Sequence, residues 1–350
     1  MGLDLQIVNE NQILQDTSDC RVNSGCAWIC LYINAYSSCK KSIQGVFLKS
    51  NIWKADAMLV LTAVLWGAAF VAQRVGMNSV GPFTFNGVRF LLGAMALFPL
   101  AWHRRRETLT SGSGVELAFP GYLRACGIAG LFLFTGASLQ QIGLLWTTAG
   151  NAGFITGLYV VFVPLLGLFG RSRPDAGTSA GVVMAAAGLY FLSVNEAFVI
   201  APGDLLELAG AFFWAGHVLL VGRYAARLEP ISFSIGQFLV CGVLSLMMAV
   251  WRESITTAGI AGAVIPIAYG GLISVGIGYT LQVVAQKDAL PTHAAIILSL
   301  EAVFAAWTGR LLLGEMMSWR ATGGCALMLA GCLLAQIWPM IRTRAGNALT

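Results

Sequence analysis

Long apolar stretches separated by short polar segments occupy the chain from Asp56 almost to its end. A bilayer core is crossed by about 20 helical residues, and ten of the stretches reach or approach that length. Because backbone groups in hydrocarbon must bond within their own segment, each stretch is predicted to be a membrane-spanning helix. The predicted helices cover residues 56–75, 82–102, 122–144, 148–170, 176–195, 204–222, 230–250, 260–285, 291–313 and 320–340.

The composition agrees with this pattern. The 350 residues are 57% hydrophobic and 11% charged, with a mean hydropathy of +0.75. Soluble domains carry about 25% charged residues, so this chain has too few charged side chains to cover a water-facing surface. The predicted fold class is therefore an all-α polytopic membrane protein with ten transmembrane helices, and the lipid bilayer is its first partner.

Residues 1–54 differ from the rest of the chain. They are polar, contain four of the eight cysteines and include no apolar stretch long enough to span a membrane. Their cysteine spacing matches no zinc pattern with a C-x2-C knuckle, and basic residues do not precede an apolar core as they do in a signal peptide. We interpret 1–54 as an N-terminal extension that is disordered or mis-assigned.

The positive charges indicate orientation. The net charge is +5, but Lys and Arg lie between apolar stretches and form no basic stripe with interleaved aromatics, so no nucleic-acid partner is expected. If the N-terminus is cytoplasmic, the inside segments carry 15 Lys and Arg and the outside segments carry 4. This excess favours a multi-pass protein of the cell membrane with both termini in the cytoplasm.

The two halves of the chain repeat each other at a fixed offset. "DAMLVLTAVLW" (56–66) matches "DLLELAGAFFW" (204–214) at a shift of 148, and "PFTFNGVRFL" (82–91) matches "PISFSIGQFL" (230–239) at the same shift. After the shorter central loop of the second half the shift becomes 142, which pairs Leu139-Gln140 with Leu281-Gln282. We therefore divide the chain into a first five-helix repeat at 55–195, a second at 203–342 and a short cytoplasmic tail at 343–350.

Five helices per repeat require the second repeat to enter the membrane from the opposite side. Inverted repeats of this kind hold a substrate site near the bilayer midplane at their interface and allow alternating access when one half rocks against the other. The duplication therefore predicts a transporter.

Several segments resemble the EamA-type members of the drug/metabolite transporter superfamily, over about residues 55–342. They are "LWGAAFVAQRVGM" (65–77), "PFTFNGVRFLLGA" (82–94), "YTLQVVAQKDALPTHAAIILSLEAVFAA" (279–306), "LLLGE" (311–315) and "GGCALMLAGCLLA" (323–335).

The resemblance implies ten helices in two halves, a central polar cavity, and movement of small metabolites, often outward and usually without ATP. This sequence departs from the family pattern in two places. Ala302 stands where family members often have a proline after the helix-nine glutamate, and "GRSRPD" (170–175) replaces the acidic "LGEMM" of the second repeat.

Glu301 is the leading candidate site residue. It lies ten residues into an apolar stretch, near the bilayer midplane, where a carboxylate costs about 2.5–3.5 kcal/mol on insertion scales. Its counterpart in the first repeat is Tyr159. We expect Glu301 to face the cavity and to bind a proton or a cationic group of the substrate; the alternative is a structural carboxyl bonded to neighbouring hydroxyls.

Other polar residues within the apolar stretches are further candidates. Arg89 either reaches the outer interface or faces the cavity as an anion partner. His217 in helix six, and His293 opposite its counterpart Asn151, are either contacts for substrate or protons, or hydrogen-bonded core residues.

Two pairs of repeat counterparts complete the candidate set. Gln140 and Gln282 either line the pathway or bond helix to helix. Trp66 and Trp214 lie in mid-helix, away from the interfaces where tryptophan gathers, which indicates gating, cavity lining or core packing.

The function predicted from these features is a secondary active transporter, most simply an exporter, of amino acid- or amine-like metabolites, with protons as a possible second partner. A membrane-embedded enzyme is an alternative, but no H-E-x-x-H zinc pair and no aspartate-rich diphosphate motif is present. A passive channel or receptor-like scaffold is the other alternative. No cofactor and no metal are expected.

Overall fold

The computed structural model describes residues 53–111, 119–169, 175–193, 202–314 and 318–347. Every regular element in these ranges is a helix, which agrees with the predicted all-α class. The chain divides into two units between Trp53 and Lys54. The helices described below belong to the second unit, except that the first helix begins one residue earlier, at Trp53. The predicted N-terminal extension at 1–54 lies almost wholly outside the described residues.

The helices follow the apolar stretches in order, and we number them by stretch. Short turns within a stretch divide α4 and α9 into two parts. A separate short helix, Thr257–Gly262, precedes α8, and α8 changes its helical type along its length. The bounds are α1 Trp53–Gly76, α2 Pro82–Ser111, α3 Phe119–Gly143, α4 Ala149–Gly157 and Tyr159–Phe169, α5 Ala176–Ser193, α6 Pro202–Ala225, α7 Pro230–Arg252, α8 Val264–Ala268, Tyr269–Tyr279 and Thr280–Ala285, α9 Pro291–Leu298 and Glu301–Leu313, and α10 Trp319–Asn347.

Within the described ranges, eight of these helices are long and apolar enough to cross a membrane. Two more contain shorter apolar segments, Ala176–Phe191 in α5 and Thr322–Ala335 in α10. The chain is therefore a multi-pass membrane protein.

Among the described residues, the largest difference from a predicted helix boundary is at the end of α2. The second stretch was expected to end at residue 102, but α2 continues to Ser111. Residues 103–111 contain neither glycine nor proline and include arginine and glutamate, which favour helix, so the helix outlasts its apolar segment.

Charged and proline residues fix where helices begin. Glu229 precedes α7 and its carboxylate accepts a hydrogen bond from Ser232 N at 2.7 Å, with Pro230 in the first turn. Glu253, after α7, accepts from the backbone N–H groups of Phe83 and Thr84 at 2.8 Å each and so caps α2 from another helix end. Carboxylates suit these places because helix N-termini expose unpaired N–H groups.

Helices that correspond in the two repeats pack against each other. The pairs α2–α7, α4–α9 and α5–α10 are all in contact. Contacts between non-corresponding helices also occur in matched sets: α3 packs on α7 as α8 packs on α2, and α4 packs on α6 as α1 packs on α9. The hydrophobic core lies between these helices and draws residues from both repeats.

Glycine permits the closest of these contacts. A Cβ on Gly67 of α1 would lie 2.4 Å from Phe304 Cβ and 2.7 Å from the Glu301 carbonyl oxygen of α9. The backbones of α1 and α9 therefore touch beside Glu301. Close approach through small residues is the usual means of helix packing in membranes.

Irregular backbone occurs at three places along the bundle. The turn at Leu158 divides α4 just before Tyr159, and the turn at 299–300 divides α9 just before Glu301, so the two turns fall at corresponding positions of the repeats. In α8, residues Tyr269–Tyr279 form a π-helix. Such departures from α-helix gather at functional sites.

Candidate functional site

A pocket inside the bundle brings together most of the predicted site residues. The space between its walls measures about 460 Å³, and part of that space is open to the surroundings. Because this value includes space open to the surroundings, it is only an upper bound for the volume of an occupant. The lining residues are Trp66, Ala69, Phe70, Gln73, Arg89, Gln140, Thr156, Tyr159, Trp214, His217, Val218, Ser274, Tyr279, Gln282 and Glu301.

Glu301 and Tyr159 meet in this pocket, as their correspondence in the repeats predicts. Each is the first residue after the turn in its helix, and each is at most 3% exposed. The Tyr159 hydroxyl lies near enough to the Glu301 carboxyl for the two groups to interact. Within the described part of the chain, neither that hydroxyl nor Glu301 Oε1 makes a hydrogen bond of good geometry, so both can turn to an occupant of the pocket.

Arg89 faces the pocket and not the membrane interface. Its side chain is 2% exposed, and its guanidinium lies 5.4 Å from the Phe85 ring centroid and 5.0 Å from the Phe90 ring centroid. The described residues provide it with no ion pair, and its Nε has no hydrogen-bond partner among them. The two aromatic rings stabilise this cation without neutralising it.

Tyr279, at the end of the π-helix, is the centre of an aromatic cluster. Its ring centroid lies 4.4 Å from that of Trp66 and 6.1 Å from that of Trp214, the tryptophan pair predicted from the repeats. Tyr279 is also near enough to Arg89 and to Glu301 to interact electrostatically with both. The aromatic cluster is therefore near both the cationic and the acidic side chains of the pocket.

Both tryptophans are held by hydrogen bonds from their indole nitrogens. Trp66 Nε1 donates to the Ser274 carbonyl oxygen at 3.2 Å, and Trp214 Nε1 donates to Gln140 Oε1 at 3.0 Å. Gln140 Nε2 in turn donates to Gln73 Oε1 at 3.1 Å. Gln140 thus both lines the pocket and bonds helix to helix, so the two predicted alternatives hold together.

Gln282, the counterpart of Gln140, has different surroundings. It lines the pocket and is fully buried, but neither oxygen nor nitrogen of its amide has a partner among the described residues. A buried amide without partners costs free energy unless a ligand or water bonds it. Gln282 is therefore available to an occupant.

His217 also lines the pocket, and it is hydrogen-bonded. Its Nε2 lies 2.7 Å from Gln237 Oε1 on α7, and its ring centroid lies 6.2 Å from that of Tyr279. The second ring nitrogen remains for other partners.

Two predicted residues lie outside this pocket. Asn151, in the first turn of α4, is half-buried, and its backbone N–H donates to the capping side chain of Thr148 at 3.1 Å. His293, in the first turn of α9, lies near Asp56 of α1 and interacts with it electrostatically. Both are close to helix N-termini, whereas the pocket lies deeper in the bundle.

The sequence reasoning missed several residues of the site. The position of Gln73 at the end of the first apolar stretch suggests a rim residue, but Gln73 is buried and joins the amide network. Tyr279, Ser274 and Thr156 were not considered. Glu207 was also missed: it is fully buried in α6, and its Oε2 accepts a hydrogen bond from Thr156 Oγ1 at 3.1 Å. A signal was present, because an acidic residue within an apolar span is expensive and functional by default.

The pocket combines one unpaired cation, one acid with an unbonded oxygen, a free amide and an aromatic wall. This set suits binding of a small molecule through charges of both signs. The described residues contain no group of three or more His, Cys, Asp and Glu side chains placed to hold a metal ion.

Comparison with known proteins gives consistent matches over the helical part of the chain. A relative from Archaeoglobus fulgidus named "Uncharacterized transporter" is 29% identical over 289 residues, which are 81% of this chain and 86% of the relative. A relative from Salmonella typhimurium named "Probable amino-acid metabolite efflux pump" is 26% identical over 292 residues, which are 79% of this chain and 93% of the relative.

A solved crystal structure supports the fold alone, at 20% identity. It superposes with a TM-score of 0.63 and covers 81% of this chain and 96% of its own. The family model described as "EamA-like transporter family" matches residues 53–194 and 201–336, one match for each half of the duplication. These two matches cover most of the chain and include the residues of both repeats that line the pocket. The chain therefore belongs to the EamA-like transporter family and is a membrane transporter rather than an enzyme.

Proposed function

We propose that the protein is a secondary active exporter of small zwitterionic metabolites of the amino-acid type, which it moves by alternating access. The observation that carries this proposal is a buried arginine and a buried glutamate that line one pocket without forming an ion pair. A zwitterion satisfies both charges at once. Neutral, purely cationic or purely anionic solutes leave one of them uncompensated in a place where that is costly.

The proposed binding mode follows from the positions of the charged groups. Arg89 takes the substrate carboxylate, for which its planar guanidinium offers paired donors. Glu301 takes the ammonium group, and Tyr279 lies between the two ends of the substrate. The indole rings of Trp66 and Trp214 form the wall for the side chain, and the Gln282 amide supplies further hydrogen bonds.

The proposed architecture is ten transmembrane helices in two inverted five-helix repeats, at 55–195 and 203–342. The corresponding turns before Tyr159 and Glu301 and the matched helix contacts support it. We place the protein in the cell membrane with both termini cytoplasmic, because 15 Lys and Arg then lie inside and 4 outside. Rocking of one repeat against the other would open the pocket to each side in turn.

The name of the Salmonella typhimurium relative supports both the solute class and the outward direction. Protons are the coupling ion in our proposal, since the chain shows no motif for ATP chemistry and a buried carboxyl can carry a proton as readily as an ammonium partner.

The test is counterflow in proteoliposomes that contain the full chain. Vesicles loaded with unlabelled L-tryptophan or L-leucine are diluted into the labelled amino acid, and the transient accumulation of label is measured. We expect accumulation for one or both amino acids and at least tenfold less competition from the decarboxylated amine and from the deaminated acid. A passive channel gives no accumulation above equilibrium.

Variants identify which charge reads which end of the substrate. We expect Arg89→Gln to reduce the transporter's preference for the amino acid over the decarboxylated amine by at least tenfold. We expect Glu301→Gln to reduce its preference for the amino acid over the deaminated acid by at least tenfold. Arg252→Gln and Asp288→Asn change the same charges at exposed positions and serve as controls. The proposal fails if both analogues compete as well as the amino acids do, or if counterflow does not exceed that of protein-free vesicles.

A further inference from the structure

We propose that Glu207 is a second proton-binding carboxyl of the transport cycle, placed behind the pocket wall and held there by Thr156, and that substrate at Glu301 is exchanged for a proton held by the Glu207–Glu301 pair. This inference rests on the proposed function and goes beyond it, since it assigns coupling to a residue outside the pocket lining.

The surroundings of Glu207 orient its carboxyl. Thr156 Oγ1 donates to Oε2 at 3.1 Å, while Oε1 is buried and has no hydrogen-bond partner among the described residues. On that side lies Gly143, where a Cβ would come within 2.9 Å of Oε1. Glycine at 143 therefore leaves the unbonded oxygen, which can hold a proton, without a side-chain clash.

Glu207 is connected to the pocket through Thr156. The Thr156 side chain belongs to the pocket lining, and its hydroxyl binds the carboxyl that lies behind it. Glu207 and Glu301 are also near enough to interact electrostatically. A change in the charge of either carboxyl therefore changes the free energy of ionising the other.

Among the described residues, no cationic side chain pairs with Glu207. The titratable groups that face it are Asp204 on its own helix and Glu301 from α9, with Tyr159 of α4 beside Glu301. Arg74 of α1 donates to the carbonyl oxygens of Leu144 and Thr147 in the α3–α4 turn and not to Glu207. No salt bridge to Glu207 occurs among the described residues.

Two carboxyls that lie close together in an apolar interior do not both stay charged without a counter-ion. In the substrate-free pocket the pair therefore holds at least one proton. When a substrate ammonium binds Glu301, it supplies the positive charge that the pair requires, and one proton is released. At the carboxyl pair the substrate ammonium replaces the proton that leaves, while Arg89 compensates the substrate carboxylate, so the charges balance in proton–substrate exchange.

The position of Glu207 also gives the exchange a direction. It lies in the second turn of α6, which begins at the outer face in the proposed topology, whereas Glu301 lies near the midplane. A proton that arrives from outside reaches Glu207 first and favours release of the substrate from Glu301. Outward substrate movement is then driven by inward proton movement.

The experiment compares two rates in the same proteoliposomes: amino-acid accumulation driven by a pH gradient, and counterflow at equal pH. Glu207→Gln keeps the size of the side chain and an oxygen for Thr156 but cannot take up or release a proton. We expect the ratio of driven accumulation to counterflow to fall at least tenfold in Glu207→Gln and to stay at the wild-type value in Asp288→Asn.

The outcomes separate the two proposals. Absence of counterflow in the wild type refutes the proposed function, whereas counterflow with an unchanged ratio in Glu207→Gln overturns only the role of Glu207. If Glu207→Gln does not fold, Thr156→Val and Thr156→Ser decide. We expect driven transport by Thr156→Val, but not by Thr156→Ser, to change its dependence on external pH, and identical dependence in both overturns the inference.

Discussion

At the scale of single residues, the two glutamines of the pocket show that residues at corresponding positions of the repeats can have different surroundings and different roles. Gln140 bonds Gln73 and Trp214, whereas the amide of Gln282 has no partner among the described residues. The two side chains occupy corresponding places in α3 and α8. We therefore expect Gln140 to contribute to stability and Gln282 to binding.

This difference predicts opposite effects for the same substitution. Gln140→Leu leaves the Gln73 amide oxygen and the Trp214 N–H without their partner, which costs about 1–3 kcal/mol per buried group, so its unfolding midpoint in detergent should fall. Gln282→Leu removes an unbonded amide and should unfold at or above the wild-type midpoint, while its KM for the amino acid rises severalfold. A lower midpoint for Gln282→Leu than for Gln140→Leu would contradict this assignment.

The sequence predicted which residues face the pocket better than it predicted their partners. Eight of the ten candidates line it, because a polar side chain within an apolar span has few other places to go. Asn151 and His293 do not, since both lie in first turns near a helix end. Tyr279 was missed because an aromatic residue in an apolar stretch gives no polar signal.

At the scale of helices, the contact between α1 and α9 determines where Glu301 is placed. Gly67 allows the α1 backbone to touch the Glu301 carbonyl, and Thr308 Oγ1 of α9 donates back to the Gly67 carbonyl oxygen at 3.4 Å. Any separation of the two helices therefore moves the acid.

We expect Gly67→Ala to separate them. Its Cβ would lie within 3.0 Å of atoms of Phe304, Glu301 and Ala305, two of which are backbone atoms that cannot rotate away. Overpacking of this kind costs about 1–3 kcal/mol, which a lower unfolding midpoint and slower counterflow would report.

Gly127→Ala is the matched control for that substitution. A Cβ at Gly127 meets nothing within 4 Å, and alanine favours helix over glycine by up to about 1 kcal/mol. This variant should be at least as stable as the wild type. If the two alanine variants behave alike, the α1–α9 contact is not tight.

The apolar pattern of the sequence predicts where the helices lie along the chain but not their local geometry. Apolar length predicts that 264–285 crosses the membrane, but it does not distinguish α-helical from π-helical hydrogen bonding. The segment "YGGLISVGIGY" contains four glycines, which carry no side chain to enforce an α-helical register. The π-helix that presents Tyr279 and the Ser274 carbonyl could therefore be found only in the structure.

At the scale of the whole molecule, the proposed inverted arrangement makes a direct prediction about topology. Trp146, in the α3–α4 turn, and Trp319, at the start of α10, are both exposed and belong to loops expected on the outer face. Asp288, between α8 and α9, belongs to a loop expected inside.

Cysteine labelling tests this prediction. In a chain without its eight native cysteines, Trp146→Cys and Trp319→Cys should react with an impermeant maleimide added to intact cells. Asp288→Cys should react only after the membrane is permeabilised, and it serves as the control. Labelling of only one of the two tryptophan positions from outside would exclude the inverted repeats.

The packing of α2 on α7, α4 on α9 and α5 on α10 has a consequence for biosynthesis. When the ribosome completes α5, each of these surfaces on the first repeat still faces lipid, because its partner has not been made. At 5–20 residues per second the remaining 157 residues take between roughly 8 and 30 s. During that interval the first repeat depends on lipids or insertion factors to keep these unpaired helix surfaces from contacting other proteins. Newly synthesised chains are therefore vulnerable to quality-control proteases.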